Sequence, residues 1–228
     1  MIQVEPIITI ICYNIVYNYT LGNTDDTQIK IYYESAMQKI ILASGSKQRK
    51  LLLSALRVPF EVVPSNIDEK RIHATHHKER ARLIALAKAR AVSEKNLDAI
   101  VIAADTFAFI NGKSYEKPTS LAEAKKMLQE QSGQKGTCYS GCAYLDPKNK
   151  IEFSTTVETT YIFRELSDSE INTYIQNNSV LSWSASFCPA YPEGINMVRA
   201  VAGSLSSFSH GLPMEIVIPL LEKSGVLK

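Results

Sequence analysis

Residues 40–50 read Ile40-Ile41-Leu42-Ala43-Ser44-Gly45-Ser46-Lys47-Gln48-Arg49-Lys50, and Leu51-Leu52-Leu53 follow at once. An apolar run stops abruptly at small hydroxyl and glycine residues, and a cationic then apolar segment begins. This predicts a buried strand, a tight turn and a helix start. Backbone N–H groups at a helix N-terminus point outward and favour anions. Small residues let a phosphate come close, and Arg49 can clamp it bidentately. A structural turn with a solvated basic face is the competing reading of this segment taken alone.

Outward from that turn, strand-like and helix-like segments alternate. A helix is expected over about 46–56, a short strand over 60–63 before Pro64, and a polar loop over 66–76. Leu83, Leu86, Ala87 and Arg90 fall at helical spacing within 78–95. Residues 99–104 form a continuous apolar run, as for a central strand. Asn111-Gly112 signals a hairpin within 107–115. Ser120 to Glu123 and Ser167 to Glu170 have the spacing of capping boxes. Residues 137–145 and 151–163 read as paired strands, and a last helix spans about 213–224 with Pro219 inside it. The expectation is one α/β unit with a mixed sheet.

The chain has 228 residues, 45% of them apolar and 21% charged, enough for one large core or two small lobes. A net charge of +2 gives no support for a nucleic-acid footprint, so any anion site must be local. Cys12, Cys138, Cys142 and Cys188 form no C-x-x-C pair, which suits reduced thiols in a cytoplasmic chain. The first 36 residues look unlike the rest, with Ile7 to Ile11 apolar and many Tyr, Asn and Thr residues. They fit neither a signal peptide nor a membrane span. Met37 precedes the opening strand directly, so residues 1–36 are expected to be an extension outside the fold, and 37–228 a single α/β domain.

Four segments add chemistry. Asn66-Ile67-Asp68-Glu69 brings carboxylates after a short strand; Lys88 stands on the expected helix; Asp105-Thr106 directly follow the apolar strand, where the chain ends of α/β sheets gather ligands; Lys117-Pro118 comes after the hairpin. Each has a plainer reading. Asp105 could cap a turn, Lys88 could snorkel from a helix face, and Glu69 could be a solvated charge. His73, His76 and His77 invite a metal reading, but a solvated loop suits them better. Trp183 could stack on a base or pack as core or lid.

In order, these segments resemble the Maf family of nucleoside triphosphate pyrophosphatases over about 38–228. The family's L-A-S-x-S-P-x-R-R is similar to Leu42 through Lys50, its P-F-x-V-x-P-x-x-I-D-E to Pro59 through Glu69, its L-A-x-x-K-A to Ile84 through Ala89, and its A-A-D-T to Ala103 through Thr106. Its S-G…T-G segment is similar to Ser132-Gly133 through Ser140-Gly141. The resemblance implies an ITPase-like fold: a mixed twisted sheet in two lobes with flanking helices and a cleft between them. It implies hydrolysis of a nucleoside triphosphate to the monophosphate and pyrophosphate with Mg²⁺ or Mn²⁺. Asp105 is then the proton acceptor, Glu69 and Asp105 the metal ligands, and Ser44, Ser46, Arg49, Lys88 and Lys117 the phosphate-binding groups. Gln48, Thr106 and Glu193 fall where the family selects its base.

The chain departs from the pattern in places. Lys47 replaces a proline, Lys50 an arginine and Glu116 a glycine, and the D-K-A-G segment reads Ser182-Trp183-Ser184-Ala185. Thr106 favours pyrimidine (dTTP/UTP-type) substrates, whereas a glutamate at 193 favours 7-methyl-GTP. A diverged nucleotide-binding regulator of cell division without turnover is the rival from another class. A homodimer is the assembly considered.

Overall fold

The computed structural model describes residues 7–12, 15–20 and 38–228. The chain divides into two compact units, 1–37 and 38–228. In the first, β1 (Ile7–Cys12) pairs antiparallel with β2 (Ile15–Thr20), Ile7 opposite Thr20 and Cys12 opposite Ile15. The expected start at Met37 lies outside the described residues.

The second unit is built on one mixed seven-stranded sheet. The opening apolar run forms β3 (Ile40–Leu42), Ser46 caps α1 (Lys47–Ser54) by accepting from Arg49 N, and β4 (Glu61–Val62) pairs parallel with β3. Next come α2 (His77–Ser93), the long β5 (Ile100–Ile110), β6 (Lys113–Tyr115) and α3 (Leu121–Gln131). Then β7 (Lys135–Asp146) and β8 (Ile151–Phe163) pair antiparallel along their length. The chain ends with α4 (Asp168–Asn177), α5 (Pro192–Ile195), β9 (Val198–Ala202), α6 (Leu205–His210) and α7 (Met214–Lys223). The strand order is β4-β3-β5-β7-β8-β9, with β6 on the β3 side of β5.

Strand alternation sends side chains to two faces. Ile41, Ala43, Val101, Ala103 and Ala143 pack against Ala85, Leu86, Ala89 and Val92 of α2. Ile40, Leu42, Ile100, Ile102 and Tyr144 pack on the other face against Leu53 of α1 and Val217 and Leu221 of α7. Burial on both faces explains why 40–43 and 99–104 read as continuous apolar runs. Further along the strands, a separate cluster holds Ala108, Ile110, Cys138, Tyr161 and Phe163 with Leu128 of α3, Tyr174 of α4 and Phe208 of α6. Two clusters thus flank one end of the sheet and form one lobe, the third forms the other, and β5 and β7 run through both lobes. Among the described residues, no helix is long and apolar enough to cross a membrane.

Several expectations change. Asp105 does not end a strand: β5 runs on to Ile110, because β7 continues to pair from Val101–Leu145 through Ile110–Gly136. At α3, Ser120 accepts from Glu123 N, but the Glu123 carboxylate turns to the N–H and hydroxyl of Thr119, so half of the expected box forms. The box at Ser167–Glu170 is complete. His77 is no loop residue; it starts α2 and packs its ring on Phe109, centroids 4.3 Å apart.

Candidate active site

The lobes part where one edge of β5 loses its partner. β3 pairs with Ile100–Ile102, and β6 takes over at Ala108. The successive carbonyls on that edge show the change. Ile102 O accepts from Ala43 N at 2.8 Å, Ala104 O from Arg49 Nη1 at 2.9 Å, and Thr106 O from Ser184 Oγ at 3.0 Å. Side chains thus replace a strand as donors to these carbonyls. A cleft of about 1100 Å³ opens there.

Asp105 and Thr106 point to opposite faces of β5. On the α2 face, Asp105 is buried and its Oδ1 accepts from Lys88 Nζ at 2.8 Å. Lys88 also meets Glu69 Oε1 at 2.9 Å. Glu69 begins a short 3-10 helix whose first turn is capped by Asp68. Asp105 Oδ2 has no protein partner among the described residues. Lys88 reaches this position because α2 lies hard on the sheet at Gly141, which pairs with Asp105.

On the opposite face, Thr106 Oγ1 reaches Ser140 Oγ at 3.3 Å and receives Arg49 Nη2 at 3.1 Å. Arg49 also donates to Gly211 O (2.9 Å) and Ser44 Oγ (2.9 Å). Gly211 ends α6 with φ 68°, and its Cβ would stand 2.7 Å from Thr106 Oγ1, so glycine fits here on both counts. Burial lowers the Arg49 pKa from its ordinary value, opposed by the nearby charges of Asp105 and Glu69. Arg49 lines the cleft, and its fork donates to protein acceptors that tie α1, β5 and the α6 end together.

Ser44, Ser46, Gln48, Lys117 and Glu69 all line the cleft. Gln48 Oε1 accepts from Ser46 Oγ (3.1 Å), and its Nε2 donates to Tyr191 OH (3.2 Å), spanning the cleft. Glu193 does not line it: its exposed carboxylate accepts from Asn177 Nδ2 at 3.2 Å and from Asn178 Nδ2. The reason is local, since α5 turns that side chain toward the end of α4. Trp183 is buried in the lobe core and stacks on Tyr191, centroids 5.1 Å apart at 27°.

Lys47, Lys70, Arg80 and His210 also line the cleft, and the sequence reading gave none of them a site role. Arg80 pairs with Glu116 at 3.2 Å and lies 5.8 Å over the Phe107 ring. Lys47 could have been found, as a cation at the first position of a capped helix; Arg80 and His210 carry no local signal. Among the described residues, no group of three or more His, Cys, Asp or Glu side chains converges as a metal site.

A family model described as Maf-like protein matches residues 39–224. This chain belongs to the Maf family. Its curated Maf relatives include the dTTP/UTP pyrophosphatases of Bacillus cereus strain G9842, 38% identical over 83% of this chain and 97% of that protein, and of strain B4264, 39% identical with the same coverage. Among solved structures, the Staphylococcus aureus Ham1 protein aligns with a TM-score of 0.47 and 14% identity over 82% of this chain and 100% of that one.

Proposed function

We propose that this Maf protein hydrolyses nucleoside triphosphates, chiefly of the dTTP/UTP kind, to the monophosphate and pyrophosphate. The carrying observation is Asp105: a buried carboxylate beside a large cationic cleft, with one oxygen fixed by Lys88 and the other without a protein partner. Oδ2 takes the proton of a water attacking the α-phosphorus. Lys88 holds Asp105 in place, and Lys47, Arg80 and Lys117 offset the charge that builds on the departing pyrophosphate. The names of the curated relatives support the pyrimidine preference, and Thr106 in the cleft agrees with it. Glu193, which favoured 7-methyl-GTP, lies away from the cleft.

Glu69 and Asp105 suit a hard divalent cation. Both offer oxygen and converge on one positive group, the Lys88 ammonium, and Mg²⁺ typically uses one or two carboxylates plus substrate phosphates. When bound, Mg²⁺ or Mn²⁺ supplies Lewis-acid charge to the phosphate oxygens. A net charge of +2 with cations gathered in the cleft supports a small anionic ligand over a nucleic-acid duplex. Free, buried Cys138, Cys142 and Cys188 support a reducing, cytoplasmic setting.

A panel of triphosphates assayed for pyrophosphate tests the reading. Release should require Mg²⁺ or Mn²⁺ and stop on chelation, and Asp105→Asn should lower kcat by about 10²- to 10⁴-fold with the fold intact. A wild-type protein that binds triphosphates and releases pyrophosphate from none would establish the non-hydrolytic regulator instead.

A further inference from the structure

We propose that His210 reads the base: its Nε2 accepts a hydrogen bond from the imide N3–H of uracil or thymine and selects against cytosine. The inference rests on the nucleotide reading above. Ser209 Oγ lies 2.6 Å from Leu205 O and 2.7 Å from His210 Nδ1. The hydroxyl has one hydrogen, and a carbonyl oxygen can only accept. That hydrogen therefore goes to Leu205, and the Nδ1 contact requires the proton on Nδ1. The opposite allocation would press a hydroxyl lone pair against the carbonyl oxygen.

Burial also lowers the His210 pKa below its ordinary value, which favours the neutral ring. Nε2 then carries a lone pair only, and it has no protein partner among the described residues. A lone pair repels phosphate oxygens and fits an N–H donor. Cytosine presents a lone pair at N3, and a ring held in one tautomer cannot adapt to it.

The position fits the same end of the substrate. His210 precedes Gly211, whose carbonyl takes Arg49 and Thr106, so it belongs to the face of β5 opposite Asp105 and Lys88. Arg49, which stands on that side, donates to Gly211, Ser44, Ala104 and Thr106. Trp183, Tyr191 and Phe208 line the cleft as well and offer apolar surface to a base. With the phosphates at Asp105 and Lys88, the base is left for the His210 side.

The test compares kcat/KM for pyrophosphate release from UTP, CTP and 3-methyl-UTP, which has lost the N3–H. Wild type should favour UTP over each of the others by about tenfold or more. His210→Ala should shrink both ratios toward one. His210→Gln, whose amide offers a donor beside an acceptor, should raise CTP relative to UTP, and it guards against misfolding of the alanine variant. Equal losses on UTP and CTP would mean a sugar or packing contact and overturn the proposal. So would a wild type indifferent to the base, or a preference that survives both substitutions. Release from no triphosphate sinks the hydrolase reading itself, a result distinct from release without discrimination.

Discussion

Gly141 sits directly opposite Asp105 on the neighbouring strand, and a Cβ at Gly141 would stand 2.0 Å from the Ala81 carbonyl oxygen. The absence of one side chain on β7 therefore sets how closely α2 approaches the sheet, and through it where Lys88 meets Asp105. Gly141→Ala must push α2 outward. We expect about 1–3 kcal/mol of lost stability from the overpacking, and a fall in kcat larger than the change in KM. Denaturant unfolding and pyrophosphate kinetics on the same preparation check both.

Lys88 and Asp105 are both buried and hydrogen-bonded at 2.8 Å. Removing only the cation strands a carboxylate in the protein. Lys88→Met should cost about 2–3 kcal/mol, and adding Asp105→Asn should recover much of that loss, because the pair is then neutral. A double-mutant cycle by thermal unfolding reads the coupling; additive effects would show that solvent already compensates Asp105.

Arg49 donates to Gly211 O, Ser44 Oγ, Ala104 O and Thr106 Oγ1. A lysine keeps the charge but cannot reproduce that fork. Arg49→Lys should destabilise by about 2–4 kcal/mol through acceptors left unpaired. Its loss in turnover should be accompanied by that drop in unfolding midpoint. A catalytic loss at unchanged stability would show that Arg49 acts on the phosphates.

Ala185 stands at φ 56° in a buried turn held by Glu116 O and by Gln131 Nε2. A Cβ is strained there, and the resembling family motif has glycine. Ala185→Gly relieves the left-handed strain and loosens the unfolded chain, for a net gain of about 0.5–1 kcal/mol. A raised melting temperature with unchanged kcat/KM is the expected result; a lowered one would show that the methyl's packing outweighs the strain.

The strand–turn–helix at 40–54 was legible because its signals are local: apolar residues buried on both faces, then Ser46 capping the helix. Asp105 was legible as a chemical group but misplaced in its element. A carboxylate inside an apolar strand reads as its end, and only Lys88, 17 residues earlier, neutralises it there. Arg49 was legible as a cation near the turn, whereas its acceptors at Ala104, Thr106 and Gly211 come from distant parts of the chain. Glu193 was placed by motif spacing across a diverged segment, and the turn into α5 carries its side chain toward Asn177 and Asn178. His210 needed the Ser209–Leu205 contact, which exists only once α6 is wound.

β5 and β7 run unbroken from one hydrophobic cluster to the other, paired residue by residue across the floor of the cleft. The walls are consequently joined by a ribbon whose pairing has no break between them. Any narrowing around a guest must come from twisting that ribbon or shifting side chains at the rim, such as the Gln48–Tyr191 bridge.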